Sequence, residues 1–286
     1  MGYIKMTLKL EKGRKLSEFS TLGVGGPIDR FVQVSNADEM CEAFSLEGPV
    51  LVIGRGSNCL FSDEGFQGLV LLNKIDFCHW EKNLVTAGSG YSFSRLGAQS
   101  AKKNFSGLEF ASGIPASVGG AIFMNAGANG RETCQVLESV EFFDGVSKKI
   151  FLKKELEFGY RESSFQTMRG VILAASFVLQ KGLSAREDQL AMINHRVKTQ
   201  PLTEKSIGCI FRNPGHMSAG ALIDQAGLKG LRVGGAEVSL VHANFIVNKE
   251  RASANDVKKL IHLVQERVFQ QTGVFLEPEI RMIDDR

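Results

Sequence analysis

Runs of apolar residues alternate with amphipathic segments along most of the chain. Short continuous apolar runs predict strands, and apolar positions spaced three or four residues apart predict helices. Strands are predicted at 31–35, 50–54, 68–72, 83–88, 136–145, 207–214, 242–248 and 274–283. Helices are predicted at 36–45, 92–104, 181–201, 218–230 and about 253–272. This order, with a β-rich stretch from 147 to 182, predicts a mixed α/β (α+β) fold.

Local signals refine these elements. The run 50–54 is unbroken, as expected of a strand buried on both faces. Ser35 and Asp38 are predicted to cap the first helix, and Pro201 to end the third. Gly273 is a typical residue for the C-terminal end of the last helix. The apolar positions of that helix share one face: Val257, Leu260, Ile261, Val264 and Val268.

Composition narrows the class of protein. A length of 286 residues predicts about two domains, with a boundary in the early part of the helix 181–201. Hydrophobic residues make up 43% of the chain and charged residues 23%, which is ordinary for a globular protein. The net charge of +3 argues against a nucleic-acid partner but suits a site that binds a few phosphates.

Cysteine spacing and hydropathy exclude other classes. The five cysteines are scattered without a CxxC pair, which argues against a disulfide framework and a structural zinc site, so no metal is expected. No apolar run approaches the roughly 20 residues of a bilayer crossing, so no membrane insertion is expected. The opening residues lack the apolar core of a signal peptide. We therefore expect a cytoplasmic protein.

A glycine-containing turn follows the strand 50–54. The sequence "GRGSN" (54–58) lacks the third glycine and the following helix of a dinucleotide fingerprint, so it does not predict a Rossmann fold. No P-loop, HExxH or GxSxG motif occurs in the chain. The turn can form an anion-binding nest of backbone amides. An ordinary β-turn after a core strand is the alternative.

The stretch "SGIPASVGGAIFMNAGANG" (112–130) carries no charged side chain, and 13 of its residues are Gly, Ala, Ser or Asn. Gly113, Gly119 and Gly120 let the backbone approach a ligand closely, while Ser117 and Asn125 offer polar groups to bind it. A tightly packed glycine-rich crossover is the alternative. Two separate loops of this composition favour a bound nucleotide cofactor.

Eight motifs in sequence order resemble the UDP-N-acetylenolpyruvoylglucosamine reductase family. They cover nearly the whole chain, and together they are highly specific. The motifs are "STLGVGG" (20–26), "VIGRGSNCLFSDEGFQG" (52–68), the stretch 112–130, "YRESSF" (160–165), "GCIFRNP" (208–214), "AGALIDQAGLKG" (219–230), "HANFIVN" (242–248) and "LEPEIR" (276–281).

The resemblance implies a fold, a cofactor and a reaction. The fold is an FAD-binding region of vanillyl-alcohol-oxidase type with two subdomains, here 1–72 and 73–188, followed by a substrate-binding domain at 189–286. NADPH reduces non-covalently bound FAD, which then passes a hydride to UDP-N-acetylglucosamine enolpyruvate. We expect a monomer. The implied FAD-binding residues are Gly54, Arg55, Gly56, Ser57, Asn58, Ser112, Gly113, Ile114, Pro115, Ser117, Val118, Gly119, Gly120 and Asn125.

Three residues match the family's catalytic positions. Arg161 offers a permanent charge and a fork suited to a carboxylate, although a surface ion pair is its ordinary role. Glu279 has to be protonated, or share a proton, to lie beside a second carboxylate. Cys209 occupies the place where many relatives have a serine proton donor, whereas a lone apolar-strand cysteine is ordinarily inert.

The resemblance also implies a substrate site. The implied substrate-binding residues are Tyr160, Arg196, Arg212, Asn213 and Arg281, the last predicted on the same strand face as Glu279. His242 and Asn244 lie in a matching motif, with a binding or a structural role both open.

Several departures from the family pattern are visible. Ala116 stands where the family often has glycine, and Arg212 replaces a common lysine. The short interval 165–185 resembles the compact subtype, which lacks an inserted loop with a substrate-covering tyrosine. Two rival functions are a different flavin oxidoreductase and a non-catalytic nucleotide-binding module. The motifs around Cys209 and Glu279 argue against the first, and intact catalytic positions argue against the second.

Overall fold

The computed structural model describes residues 8–215 and 217–284, in which helices and strands alternate as the sequence predicts. Residues 1–7 of the first predicted subdomain lie outside this part. The α-helices are α1 (Ala37–Phe44), α2 (Phe93–Lys102), α3 (Val118–Phe123), α4 (Ala185–Thr199), α5 (Ala219–Gln225) and α6 (Ala254–Thr272). Short 3₁₀ helices occur at Leu16–Phe19, Glu109–Gly113, Thr133–Gln135, Lys153–Glu155 and Ser164–Gln166.

Twenty strands complete the described elements. In chain order they are β1 (Ile28–Val34), β2 (Val50–Ile53), β3 (Cys59–Phe61), β4 (Phe66–Asn73), β5 (Cys78–Glu81), β6 (Leu84–Gly88), β7 (Phe105–Ser106), β8 (Gly127–Ala128), β9 (Arg131–Glu132), β10 (Leu137–Phe143), β11 (Lys148–Leu152), β12 (Phe158–Gly159), β13 (Glu162–Ser163), β14 (Val171–Val178), β15 (Gln180–Lys181), β16 (Ser206–Cys209), β17 (Arg232–Val233), β18 (Ala236–Val238), β19 (Phe245–Asn248) and β20 (Arg281–Ile283).

The described chain divides into two compact units. The first unit comprises residues 8–11, 30–55 and 68–196, and the second comprises 12–29, 56–67 and 197–284. The predicted three-part division at 72 and 188 stays a prediction.

The first unit is built on two sheets. One has the strand order β1-β4-β2, with β2 and β4 parallel. The other is antiparallel, in the order β11-β10-β14-β6-β5. Helices α2 and α3 contribute Phe93, Leu96, Val118 and Ile122 to a core beside the larger sheet. Burial of these apolar side chains is the main force that holds the helices in place.

The second unit is built on the antiparallel sheet β16-β19-β18-β17. All five apolar positions predicted for the last helix are buried in its core. Ser253 caps α6 at its N-terminus, and Gly273 ends it with a left-handed φ of 69°. The predicted helix and its C-terminal glycine are therefore confirmed.

Some sequence predictions were wrong in detail. The first helix is capped by Asn36, whose side chain accepts hydrogen bonds from Asp38 and Glu39, and not by Ser35 or Asp38. Strand β2 is present but only its last residue is buried, because β2 lies at an edge of its sheet.

Two predicted strands are much shorter in the structure. The run 207–214 forms a strand only as far as Cys209. The run 274–283 forms one only from Arg281, after a bend at Ile280. Because Glu279 precedes that bend, the expectation that it shares a strand face with Arg281 was wrong. None of the helices in the described chain has the length and apolar character that a bilayer crossing demands.

Candidate active site

The turn 54–58 carries backbone amides that have no partner among the described residues. Gly56 is buried and left-handed, with φ of 60°, and a Cβ there would lie 1.9 Å from the Phe19 carbonyl oxygen. No residue in the described chain accepts a hydrogen bond from the amides of 54–58. Buried amides are nearly always paired, so the amide of Gly56 indicates a ligand that supplies an acceptor. Arg55 is exposed, while Ser57 and Asn58 are half-buried.

Two glycines of the loop 112–120 pack closely against residues of the first unit. A Cβ on Gly113 would lie 2.4 Å from Cδ of Arg196, and one on Gly119 would lie 3.0 Å from Cβ of Ser89. Close packing therefore explains both glycines without a ligand, and it places Arg196 against the predicted cofactor loop. Of the neighbouring predicted residues, Ile114 is half-buried, Pro115 is exposed and Val118 is fully buried.

Ser117 caps helix α3 at its N-terminus, and its hydroxyl accepts a hydrogen bond from the Gly120 amide at 3.3 Å. The amides of Val118 and Gly119 donate to the carbonyls of Tyr91 and Ser89 at 2.9 and 2.8 Å. These first-turn donors are therefore occupied by protein. The hydroxyl of Ser112, in contrast, is buried and has no hydrogen-bond partner in the described chain.

These features fit a phosphate-bearing cofactor such as FAD. The amides of 54–58 and the Ser112 hydroxyl have no hydrogen-bond partner among the described residues, so each is able to bind a ligand group. Gly54 gives no further support for a ligand, since a Cβ there would lie 2.2 Å from the hydroxyl oxygen of Ser117 and packing alone explains this glycine. Backbone amides in a turn of this kind are suited to an anion.

Asn125, one of the predicted cofactor residues, makes three hydrogen bonds to protein groups. It is fully buried and donates to Glu132 Oε2 at 3.0 Å and to the Gly159 carbonyl at 2.8 Å. Its Oδ1 accepts from the amide of Cys134 at 3.1 Å. The side chain therefore ties three segments of the first unit together, and its contact with Gly159 supports the residues that follow.

Tyr160 and Arg161 form the tip of the hairpin β12–β13, in which Gly159 pairs with Glu162. Arg161 has φ of 63°, which is rare for a residue with a long side chain. Its guanidinium donates to the Gly127 carbonyl at 3.1 Å and lies 4.7 Å from the ring centroid of Tyr160. Tyr160 itself is 43% exposed, so the hairpin presents an aromatic ring and a cation together.

Cys209 ends β16 directly after a backbone irregularity. Gly208 has φ of 80°, and the register between β16 and β19 shifts between Ser206 and Cys209, which pairs with Phe245. Bulges of this kind redirect the following side chain and are common beside active sites. Cys209 is half-buried.

Glu279 lies on a segment that runs beside the residues after Cys209. Its amide donates to the Ile210 carbonyl at 2.7 Å, and the amide of Arg212 donates to the Glu277 carbonyl at 2.9 Å. Phe211 forms an isolated antiparallel bridge with Pro278 in the same segment. The second unit therefore brings the backbones of two predicted catalytic residues and of Arg212 together.

Two more predicted substrate residues have structural contacts. Asn213 is exposed, and its Oδ1 accepts from the amide of Ala219 at 3.0 Å, at the start of α5. Arg281 pairs with Cys59 in the parallel β20–β3 ladder. Burial raises the pKa of the Cys59 thiol to about 11, against a smaller opposite effect of Arg281. Cys59 therefore stays a neutral thiol.

The motif 242–248 has a structural role in the described fold. Asn244 is buried, donates to the Phe211 carbonyl at 2.8 Å and accepts from the Phe211 amide at 2.9 Å. His242 accepts from the Asn244 amide through Nδ1 at 3.2 Å and packs edge-on against Phe245. Asn244 thus extends the pairing of β16 and β19 past Cys209.

The sequence did not single out Gln166, which contacts the same hairpin as Arg161. The only feature of the sequence that could have pointed to Gln166 is its position directly after the "YRESSF" motif. Among the described residues, no group of three or more His, Cys, Asp or Glu side chains forms a metal site.

Comparison with known proteins places these features in a family. A family model for an FAD binding domain matches residues 28–148, and one for the C-terminal domain of UDP-N-acetylenolpyruvoylglucosamine reductase matches residues 200–283. The chain is 52% identical over 274 residues to the UDP-N-acetylenolpyruvoylglucosamine reductase of Protochlamydia amoebophila, which covers 94% of this chain and 92% of that protein. It is 43% identical to that of Chlamydia felis, which covers 99% of this chain and 97% of the relative.

A solved structure agrees with the sequence comparisons. The crystal structure of UDP-N-acetylenolpyruvylglucosamine reductase from Thermus caldophilus matches with a TM-score of 0.84 at 38% identity, over 96% of this chain and 99% of that one. The predicted fold class and FAD cofactor are confirmed. The chain is an FAD-dependent oxidoreductase and belongs to the UDP-N-acetylenolpyruvoylglucosamine reductase family.

Proposed function

We propose that the chain uses NADPH to reduce UDP-N-acetylglucosamine enolpyruvate to UDP-N-acetylmuramate, a step of peptidoglycan precursor synthesis. The observation that carries this proposal is the identity of 52% to a named reductase over nearly the full length of both chains. We further propose a cytoplasmic monomer of the compact subtype. The functional division into subdomains 1–72 and 73–188 and a substrate domain 189–286 belongs to the same proposal.

FAD, when bound, supplies hydride transfer from NADPH to the vinyl group of the substrate. The protein binds it without a covalent bond. The amides of Gly54, Arg55, Gly56, Ser57 and Asn58 bind its phosphates, and Ser112 donates or accepts a hydrogen bond through its buried hydroxyl. Loop 113–120 shapes the cofactor site by close packing. Asn125 contributes by holding the hairpin of Arg161.

Arg161 binds the carboxylate of the enolpyruvyl group. Hydride addition builds negative charge on that carboxylate and the adjacent carbon, and a preorganised cation there lowers the barrier. The left-handed backbone of Arg161 supports this role, since such conformations in non-glycine residues cluster at functional sites.

Cys209 donates a proton to the carbon beside the carboxylate, and Glu279 stabilises the same developing charge while protonated. The bulge at Gly208 supports a specific orientation for the thiol, and the bond between Glu279 and Ile210 supports its nearness to that segment. Tyr160, Arg196, Arg212, Asn213 and Arg281 complete the proposed substrate site.

An anaerobic titration tests the proposal. The purified chain is expected to show flavin absorbance that NADPH bleaches and that UDP-N-acetylglucosamine enolpyruvate then restores with one equivalent. Flavin that NADPH bleaches but that this substrate does not reoxidise would mean a different oxidoreductase. Flavin that NADPH does not bleach would contradict the proposed hydride donor.

A further inference from the structure

Gln166 connects the hairpin of Arg161 to the end of helix α3. Its Nε2 donates to the Phe123 carbonyl and to the Arg161 carbonyl, both at 2.9 Å, and lies 3.8 Å from the sulfur of Met124. Ser163 donates to the same Phe123 carbonyl at 2.7 Å. Carbonyls in the last turn of a helix lack intrahelical partners. Ser163 and Gln166 supply hydrogen-bond donors to one of these, the carbonyl of Phe123.

The bond to Arg161 fixes one peptide plane. The Arg161 carbonyl belongs to the peptide that joins residues 161 and 162, and rotation of that plane would break the bond to Gln166. Arg161 is held at φ of 63°, a conformation that side chains with a Cβ disfavour. The direction in which the guanidinium leaves the hairpin therefore depends on a contact that opposes relaxation of the backbone.

The contact uses only the donor side of the carboxamide. Both contacts with carbonyl oxygens are made by Nε2, and the Gln166 oxygen accepts no hydrogen bond from the described residues. A side chain of similar length with donors only can therefore replace glutamine, whereas one without donors cannot. Lysine has donors only, and methionine has none, so substitutions by these two residues form a matched pair.

We propose that Gln166 is a positioning residue that holds the left-handed Arg161 in the orientation required for reduction of the substrate. This rests on the proposed function, in which Arg161 binds the substrate carboxylate. Gln166 acts through Arg161, so its removal misplaces the cation without removing it. Misplacement of a catalytic group by about 1 Å can cost about a hundredfold in rate.

Rapid kinetics of the two half-reactions tests the proposal. Gln166→Met is expected to slow reoxidation by the enolpyruvyl substrate about tenfold to a hundredfold and to leave bleaching by NADPH within about twofold of wild type. Gln166→Lys is expected to restore most of the reoxidation rate. Thr167→Ala, which removes one exposed hydroxyl contact with Ser164 in the same turn, is the control and should match wild type. If Gln166→Met does not fold, Gln166→Asn replaces it, since its amide is too short to reach both carbonyls.

A double-mutant cycle separates positioning from general stability. In an Arg161→Lys background the effect of Gln166→Met is expected to shrink to within about twofold, because the two changes then disable the same interaction. The proposal would be overturned if Gln166→Met slowed reoxidation by the same factor in both backgrounds. It would also be overturned if Gln166→Met reoxidised at the wild-type rate while Arg161→Lys reoxidised slowly. Normal reoxidation in Arg161→Lys alone would instead overturn the proposed role of Arg161, and this inference with it.

Discussion

The hairpin 158–163 and the segment 206–212 each combine a proposed catalytic residue with a left-handed backbone position, but different residues adopt that conformation. In the hairpin, Arg161 itself has φ of 63°. In the other segment, Gly208 has φ of 80° and Cys209 follows it. Glycine adopts this conformation without strain, whereas arginine requires support from its surroundings.

The hairpin and the segment 206–212 are held in place by different kinds of contact. Side chains hold the hairpin: Asn125 binds Gly159, and Gln166 and Ser163 bind the end of α3. Mainly backbone bonds hold the segment 206–212, through the β16–β19 ladder and the carbonyl of Ile210, with the Asn244 side chain adding two bonds to Phe211. A hairpin anchored by side chains should be sensitive to substitution at its anchors, and a segment anchored mainly by backbone should be sensitive at fewer positions, among them Gly208 and Asn244.

The largest expected effect is on the chemistry of Cys209. Cys209→Ala should slow reoxidation by the enolpyruvyl substrate at least about a hundredfold, because general-acid help is worth about 10² to 10⁴ in rate. Flavin reduction by NADPH should stay near normal. Cys209→Ser should keep much of the activity, since a hydroxyl can donate the proton. Stopped-flow absorbance measures both half-reactions, and an Ala variant that reoxidises at the wild-type rate would show that the proton comes from another group.

The next effect is on the stability of the hairpin's anchor. Asn125→Ala removes three hydrogen bonds from a fully buried site and should lower the free energy of unfolding by about 3 kcal/mol, since buried groups left unsatisfied cost about 1–3 kcal/mol each. Asn213→Ala is the control, because it removes one bond from an exposed side chain. Denaturant unfolding measures both, and equal losses would mean that Asn125 is not an anchor.

The smallest effects concern the two left-handed positions. Gly208→Ala should destabilise the fold by about 1 kcal/mol through backbone conformation. Steric overlap should add little, because the nearest atom to a Cβ there is the Ser57 oxygen at 3.9 Å. Arg161→Gly should be more stable than Arg161→Ala by a similar amount of about 1 kcal/mol, since glycine adopts a positive φ without strain and alanine does not. Unfolding curves that do not separate the Gly and Ala variants at 161 would contradict strain in the hairpin.

Sequence patterns predicted the elements whose periodicity was long and regular. Helix α6 was found with its buried face and its terminal glycine, and the central strand β4 from its apolar run. The short helix α3 was not found, because its six residues are small and glycine-rich and lack an amphipathic period. The last strand was predicted to be longer than it is, because a bend at Ile280 interrupts a stretch that the sequence pattern predicts as one strand.

The site was predictable in its residue types but not in its contacts. Glycines 113 and 119 suggested a ligand, yet the atoms nearest to them belong to Arg196 and Ser89. Asn125 suggested a cofactor contact, and its side chain also makes three bonds to protein that no local pattern predicts. Such contacts join residues far apart in sequence, and no local pattern contains them. Gln166 was overlooked for the same reason, since its role depends on the end of α3.

The most direct measurement is the rate of each half-reaction in Arg161→Lys. Lysine keeps the charge but loses the two-pronged geometry that matches a carboxylate. If the hairpin presents Arg161 to the substrate, reoxidation by UDP-N-acetylglucosamine enolpyruvate should slow by about a hundredfold or more, the usual cost of a lost stabilising donor. Bleaching of the flavin by NADPH should change little. Equal slowing of both half-reactions would contradict the account and would assign Arg161 to the flavin site.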